Sequence, residues 1–264
     1  MKYIEFEEAV NGTHMVMGAP HSHDFYELYF LLEGQRDFFI GNKMFRVDDN
    51  TLVVVPPFSM HKTEGGAYRR INANVSASLL TKTQIDFLTK ISEKTAIKIT
   101  GKYLDVIVRL LSEATRLQNR SLPDKTDGLC SILKTVLLFL SLQDNASVSA
   151  ASAAFTPSEV SSDILKIIYY INTHFCEQIT LDELCTEFYL SRTSLCKKFR
   201  DVMRCSIIEY VSELRLNKAK SLLRDTGLTI DEISTSCGFS SPNYFGLIFK
   251  KEVGLSPLQY RKSR

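Results

Sequence analysis

Hydrophobic and polar positions change their spacing twice along this chain. From residue 26 to 76 the spacing is strand-like: 26–32 ends at Glu33-Gly34, 37–40 turns at Gly41-Asn42 into 43–47, and 51–55 runs into Pro56-Pro57. Short β-rich segments divided by regular turn signals predict a barrel or a sandwich. After Ser78 the period becomes helical. Residues 79–91 read as one short helix and 97–99 as a return to the sheet. Leu104, Ile107, Val108, Leu111 and Leu117 then form an apolar stripe, as do Leu129, Ile132, Leu133, Val136, Leu137 and Leu140. A pair of strongly apolar helices beside a small barrel is core, and such wide faces leave one side for a dimer interface.

Composition shifts abruptly at 144–158 (DNASVSAASAAFTPS), where Ser, Ala and Pro157 mark a flexible linker. A capped helix follows at 161–175. Beyond it the chain repeats itself. TLDELCTEFYLSRTSLCKKFRDVMRCSIIEYV from Thr180 is echoed by TIDEISTSCGFSSPNYFGLIFKKEVGLSPLQY from Thr229, at an offset of 49 residues before the turn and 50 after it. Thr180, Asp182, Glu183, Ser191, Phe199, Ser206 and Tyr210 match Thr229, Asp231, Glu232, Ser241, Phe249, Ser256 and Tyr260.

Each copy has the pattern of a helix-turn-helix. A Thr cap with acidic residues behind it opens a short helix, a tight turn follows at Tyr189-Leu190 or Gly238-Phe239, and Ser191 or Ser241 caps a second helix. Leu195, Phe199 and Val202, or Phe245, Phe249 and Val253, face inward. The opposite face carries Arg192, Thr193, Cys196, Lys197 and Arg200 in the first copy and Asn243, Gly246, Leu247, Lys250 and Lys251 in the second. Residues 206–225 read as one connecting helix whose length, about 30 Å at 1.5 Å per residue, approaches one turn of B-DNA, so both second helices would reach successive major grooves.

The run GFSSPNYFGLIFKKEVGLSPLQYR, with RLNKAKSLL and the first copy, resembles the signature of the AraC/XylS family of bacterial transcription regulators. The resemblance implies two helix-turn-helix units reading adjacent major grooves, joined to a sensing domain. Three positions depart from the pattern: Arg204 stands where Gly is usual, Cys185 and Ser234 replace an alanine, and Leu247 replaces a polar or basic reader.

Charge supports this reading. Residues 192–264 hold 14 Lys and Arg against 7 Asp and Glu, whereas residues 1–157 hold 17 of each. Basic charge concentrated on the repeat is the footprint of phosphate contacts, although the chain's net +2 would not by itself suggest nucleic acid. The first residues, MKYIEFEEAV, lack the pattern of a signal peptide, and the most apolar run, 129–142, is too short to span a bilayer. A cytoplasmic protein without membrane contact is expected. Six cysteines without C-x-x-C spacing read as reduced thiols; Cys196, on the predicted DNA face, is expected to be the exposed one.

His21-Ser22-His23, Glu27 and Gly34 fit H-x-H-x3-E-x6-G, and 56–61 fits P-x-x-x-x-H, so this stretch resembles the two motifs of the cupin barrel. That resemblance implies convergence of His21, His23, Glu27 and His61 at the barrel mouth. Three imidazoles and a carboxylate suit zinc, manganese, iron or nickel. The alternative is that no cofactor is required, and that His21, His23, Tyr26, Glu27 and His61 line an organic effector pocket, with residues 1–20 as a covering arm. Arg36, Arg46, Arg69 and Arg70 are either clamps for an anionic ligand or solvated strand-edge charges.

The expected fold is α+β in two domains: a cupin-like β-barrel with a helical dimerisation pair over 1–143, a linker over 144–158, and an all-α double helix-turn-helix domain over 159–264. The expected function is non-enzymatic: sequence-specific transcription regulation controlled by a small molecule, for example a sugar. Partners would be double-stranded DNA, the effector, a second copy of the chain and RNA polymerase. The competing reading is a cupin metalloprotein or metalloenzyme carrying an accessory DNA-binding module.

Overall fold

The computed structural model describes residues 3–12, 15–16, 19–41, 43–142 and 162–263. It divides into two compact units, Met1–Met17 with His23–Phe155 and Gly18–Ser22 with Thr156–Arg264. The expected linker lies outside the described residues, as does His14. The grouping of Gly18–Ser22 with the second unit has no sequence signal behind it.

The N-terminal unit is an antiparallel sheet of β1 (Ile4–Asn11), β2 (Met15–Val16), β3 (Tyr26–Ile40), β4 (Lys43–Val47), β5 (Thr51–Val55), β6 (His61–Val75) and β7 (Ala96–Lys98). Its hydrogen-bonded order is β1-β6-β3-β5-β7, with β2 added to β6 and β4 to β3. The antiparallel sheet is consistent with the expected cupin-like domain, but the pairings among the described residues do not join its end strands β1 and β7 into a closed barrel.

Two expectations change here. The turn expected at Glu33-Gly34 is a pair of bulges inside one 15-residue strand. Gly34 adopts φ +100° there, and a Cβ on it would lie 2.2 Å from the Ala67 carbonyl oxygen, so β6 approaches as closely as only glycine allows. The expected covering arm contains a strand instead: β1 pairs with β6 from Ile4–Val75 to Asn11–Tyr68.

Both sheet faces are buried, which explains the near-continuous apolar run of β3. Leu28, Phe30, Leu52, Val54, Ile71 and Ala73 share a core with Ile107, Leu111, Leu133 and Leu137 of α2 (Leu104–Gln118) and α3 (Lys125–Ser141). Leu88 and Ile91 of α1 (Lys82–Glu93) join it. On the opposite face Tyr29, Leu31, Phe38, Phe45, Val53 and Tyr68 form a second cluster. The apolar stripes of α2 and α3 are therefore spent largely on the core. Val106, Leu138 and Leu142 remain exposed on or beside these two helices.

The C-terminal unit holds α4 (Ser162–His174), α5 (Leu181–Glu187), α6 (Arg192–Met203), α7 (Ile207–Asp225), α8 (Ile230–Ser236), α9 (Pro242–Val253) and α10 (Pro257–Lys262). The repeat in sequence is a repeat in structure. Thr180 with Glu183 and Thr229 with Glu232 form matching capping boxes at α5 and α8, satisfying two otherwise orphaned N–H groups in each. Leu190 N–H donates to Cys185 O at 3.1 Å and Phe239 N–H to Ser234 O at 3.1 Å, closing the same turn twice. Phe199 meets Tyr210 edge-on at 5.7 Å, as Phe249 meets Tyr260 at 5.4 Å. Between the copies the 19 residues of α7 span about 28 Å at 1.5 Å per residue.

Candidate nucleic-acid interface and sensing site

Helix α6 is held by Leu195, Phe199 and Met203, all fully buried, and α9 by Phe245 and Phe249. Val202 and Val253, expected to face inward, are only half-buried. Burial of one side commits the other to solvent. Arg192, Thr193, Lys197 and Arg200 are exposed on α6, as are Asn243, Leu247, Lys250 and Lys251 on α9. Gly246 is half-buried, and Leu247 is 71% exposed, a large apolar side chain standing among polar ones. Cys196 corrects an expectation: it is half-buried and not an exposed thiol, a short side chain on the flank of the helix face that buries Leu195 and Phe199. Arg192 approaches Asp182 at 3.8 Å, both largely exposed, a contact worth little in water.

The ends of these helices are fixed by long-range contacts. Arg215 donates from Nε to Phe175 O at 2.7 Å and from Nη2 to Glu177 O at 2.8 Å, tying α7 to the segment after α4. Arg261 donates to Leu228 O at 2.5 Å beyond the far end of α7. Burial pushes the Cys237 thiol up to about 12, so it stays protonated as a core residue.

In the N-terminal unit, strand alternation sorts the expected pocket residues. Glu27 shares the face of Tyr29 and Leu31, and its partner strand places Asn72 and Asn74 on that same face. His61 opens β6, and His23 precedes β3. His23 Nε2 lies 3.1 Å and His61 Nε2 3.2 Å from Glu27 Oε2. The ligand atoms of these three residues all lie within 4.8 Å of one another. Burial raises the carboxyl's affinity for its proton, but the hydrogen bonds from His23 and His61 outweigh it and hold Glu27 well below the usual carboxylate range.

Two members of the expected pocket do not join. His21 is exposed and outside the three-residue group. Tyr26 belongs to the core beneath the helices, since a residue adjacent to Glu27 on a strand must face the other way.

Other residues do join, and no motif along the chain marks them. Asn72 Nδ2 donates to Glu27 Oε1 at 2.5 Å across 45 residues of chain. Arg36, one of four arginines flanking the strands, is buried, with its guanidinium 4.5 Å from the Tyr68 ring and Nη1 donating to Gly65 O at 3.1 Å. Arg46 and Arg69 are surface charges, paired with Asp37 and with Glu8 and Glu33. Arg70 lies 5.4 Å from the centre of the Tyr29 ring, and burial pushes the Tyr29 phenol up to about 12. Tyr29 Oη, Arg70 Nη1, Asn72 Oδ1 and Asn74 Oδ1 are buried and have no hydrogen-bond partner among the described residues. Four such atoms on one sheet face are a demand for bound polar matter, water or ligand.

Comparison with known proteins identifies both halves. Residues 10–85 match the AraC-like ligand binding domain family, and residues 184–263 match a helix-turn-helix domain family. The chain belongs to the AraC family of transcription regulators. It is 29% identical over 162 residues to an HTH-type transcriptional regulator of Escherichia coli K12, YdiP, covering 61% of this chain and 53% of that protein. It is 22% identical over 258 residues to the HTH-type transcriptional activator RhaR of an Enterobacter species, covering 92% of this chain and 86% of that one. Among solved structures, the C-terminal domain of AraT, a response regulator from Geobacillus stearothermophilus, shares 32% identity over 40% of this chain and 89% of that one, with a TM-score of 0.39. The chain thus spans about half the length of YdiP.

Proposed function

We propose that this protein is a sequence-specific, DNA-binding transcription regulator whose operator affinity is set by a ligand held in its N-terminal unit. The observation that carries the first half is the duplicated pair α6 and α9, each anchored by buried Leu or Phe residues and each presenting a polar, cation-bearing face on either side of α7. A reach of about 28 Å suits two major-groove entries on one side of a duplex. Arg192, Thr193, Cys196, Lys197 and Arg200, with Asn243, Gly246, Leu247, Lys250 and Lys251, are the candidate contact residues. Both relatives named above are transcription regulators, which supports a regulatory and non-enzymatic role. Genome-wide mapping of bound sites followed by gel shifts is the test. A mapped site should be retained and its scrambled version lost, and equal affinity for both would overturn specific recognition.

The ligand half rests on the buried polar face around Glu27, Tyr29, Arg70, Asn72 and Asn74. A small molecule bound there should change operator affinity by about 1–3 kcal/mol and leave the isolated segment 158–264 indifferent. A homodimer through α2 and α3 would use Val106, Leu138 and Leu142, the exposed apolar residues left over from the core. Light scattering of the full chain, compared with Leu138→Lys, tests this pairing; a monomeric wild type would remove it. RNA polymerase is a further partner of this reading, and the cytoplasm its compartment. No helix among the described residues is long and apolar enough to cross a membrane.

A further inference from the structure

A cleft of about 290 Å³ lies between the two helix-turn-helix copies, wholly within the C-terminal unit. One helix face supplies a wall: Ile208, Val211 and Arg215 follow one another along α7 at spacings of three and four. Leu181 of α5 and Arg192 of α6 line the cleft from the first copy, and Ile248 of α9 from the second. Its volume sits just below the usual range of small-molecule sites, about 300–1,000 Å³, so it fits a compact ligand and not a long chain. The walls are set before anything binds. Arg215 bonds to the carbonyls of Phe175 and Glu177, and Gly238 packs on Cys176 more closely than any Cβ allows. Preformed walls lower the ordering cost of binding.

The chemistry of the walls is divided. Ile208 is 66% exposed, and Leu181 and Ile248 are half-buried, so apolar surface stands open in the cleft. Arg215 is half-buried as well. It donates through Nε and Nη2 to backbone carbonyls and has no acidic partner among the described residues. Burial pulls its pKa below the usual guanidinium value, and no carboxylate opposes that shift. Arg192 meets Asp182 only at 3.8 Å, with both side chains largely exposed. Two guanidiniums without a close carboxylate, set beside apolar walls, are complementary to an anion with an apolar body. A planar carboxylate matches the guanidinium fork, whereas a DNA phosphate would leave the apolar walls unmatched.

We propose that this cleft binds a compact monocarboxylic acid with a ring-containing apolar body, its carboxylate toward Arg215 and Arg192 and its rings against Ile208, Val211 and Ile248, and that occupancy opposes operator binding. The opposition rests on the regulator reading. The ligand draws on Arg192, a candidate DNA contact, and fills the space between two helices whose spacing along α7 must match the duplex. The site itself stands without that reading, and it shares no residue with the buried polar face around Glu27.

The test titrates the full chain with 2-naphthoate, followed by the probe's own fluorescence. One probe per chain should bind, and the uncharged 2-naphthamide should bind about 10-fold more weakly or worse, since it loses the charge-assisted bonds. Arg215→Gln should lose the probe. Because Arg215 also ties backbone together, Ile208→Glu supplies a second variant: it adds a carboxylate to the exposed first turn of α7, where the helix dipole favours it, so melting should hold while the probe is repelled. In methyl NMR spectra of the wild type, the probe should shift Val211 and Ile248. No saturable binding, equal binding of the amide, full binding to Ile208→Glu, or shifts confined to Leu31 and Val53 of the N-terminal sheet would overturn the site. Saturating probe should weaken a mapped operator about 10-fold, and an unchanged operator affinity would overturn the opposition. Gel shifts on the same samples separate the two readings: operator binding without probe binding sinks only the cleft, and probe binding without operator binding sinks only the regulator.

Discussion

The two helix-turn-helix copies reach the same left-handed backbone positions with different residues. The first uses Tyr189 at φ 53° and Arg204 at φ 57°, and the second uses Gly238 at φ 81° and Gly254 at φ 82°. At the turn, the difference follows from what comes near. Tyr189 is 95% exposed, whereas a Cβ on Gly238 would lie 2.3 Å from the Cys176 carbonyl oxygen and 2.6 Å from its carbon. The second turn is packed against backbone beyond α4; the first points into solvent. A repeat thus conveys backbone shape, while residue identity is set by the neighbour each copy meets.

The sharpest way to break this comparison is to put the same side chain in both turns. Gly238→Ala adds a backbone clash to left-handed strain and should cost about 3–5 kcal/mol, enough to threaten folding of the unit. Tyr189→Ala should stay within about 0.5 kcal/mol, since an exposed side chain is removed and the backbone conformation is unchanged. Urea melts of both variants check the pair. Similar losses in the two would mean that residue 176 yields, and that the turns are equivalent after all.

The exposed faces differ as well. The first presents Arg192, Lys197 and Arg200, the second Asn243, Leu247 and Lys250. Lys197→Ala and Asn243→Ala should each weaken a cognate site by about 1–3 kcal/mol if they touch base edges, with melting unchanged. If Lys197 instead holds a phosphate, its loss should be equal on scrambled DNA and lower the salt slope by about 1. Leu247 can offer only apolar contact, for example to a thymine methyl, so the second copy should tolerate salt better than the first. Fluorescence anisotropy across a salt series decides this.

The first helices of the copies differ at Cys185 and Ser234, the two positions where the family pattern has alanine. Ser234 is fully buried, and its hydroxyl has no hydrogen-bond partner among the described residues; Cys185 is only half-buried. Ser234→Ala should therefore stabilise by about 1 kcal/mol, because an unsatisfied hydroxyl leaves the core without leaving a cavity. Calorimetry that found a loss would show a bound water or partner at Oγ.

The C-terminal unit was legible because its constraints are local: caps three residues apart and apolar positions one helical turn apart recur at a fixed offset. The sensing cluster was only half legible. His23, Glu27 and His61 lie in motifs, but Asn72 and Arg70 join through strand register, which period-two spacing does not specify across 45 residues. Tyr26 falls outside the site for the same reason, whereas His21 lies before the strand and is simply exposed. A motif counts residues along the chain, whereas a strand sends neighbours to opposite faces, so Tyr26 beside Glu27 had to leave the site. The bulges at Gly34 were hidden because a glycine before a charged stretch signals a turn as readily as a kink within a strand.

The smallest effect isolates conformation from crowding. Arg204 and Gly254 close α6 and α9 in the same left-handed C-terminal position, each N–H donating to the carbonyl four residues back, at 2.8 and 2.9 Å. Nothing lies within 4 Å of a Cβ built on Gly254, so no steric contact demands glycine there. What remains is the intrinsic cost of φ near +60° to +80° for an L-residue, about 1 kcal/mol, partly offset by the chain entropy that glycine loses on folding. Gly254→Ala should then destabilise by about 1 kcal/mol or less, and Arg204→Gly should stabilise by a similar amount. Arg204 is exposed, so little packing is lost on its removal. If Arg204 also neutralised DNA phosphate, Arg204→Gly would raise the melting point while lowering the salt slope of operator binding by about 1, and the two readouts together would separate its fold cost from its binding role.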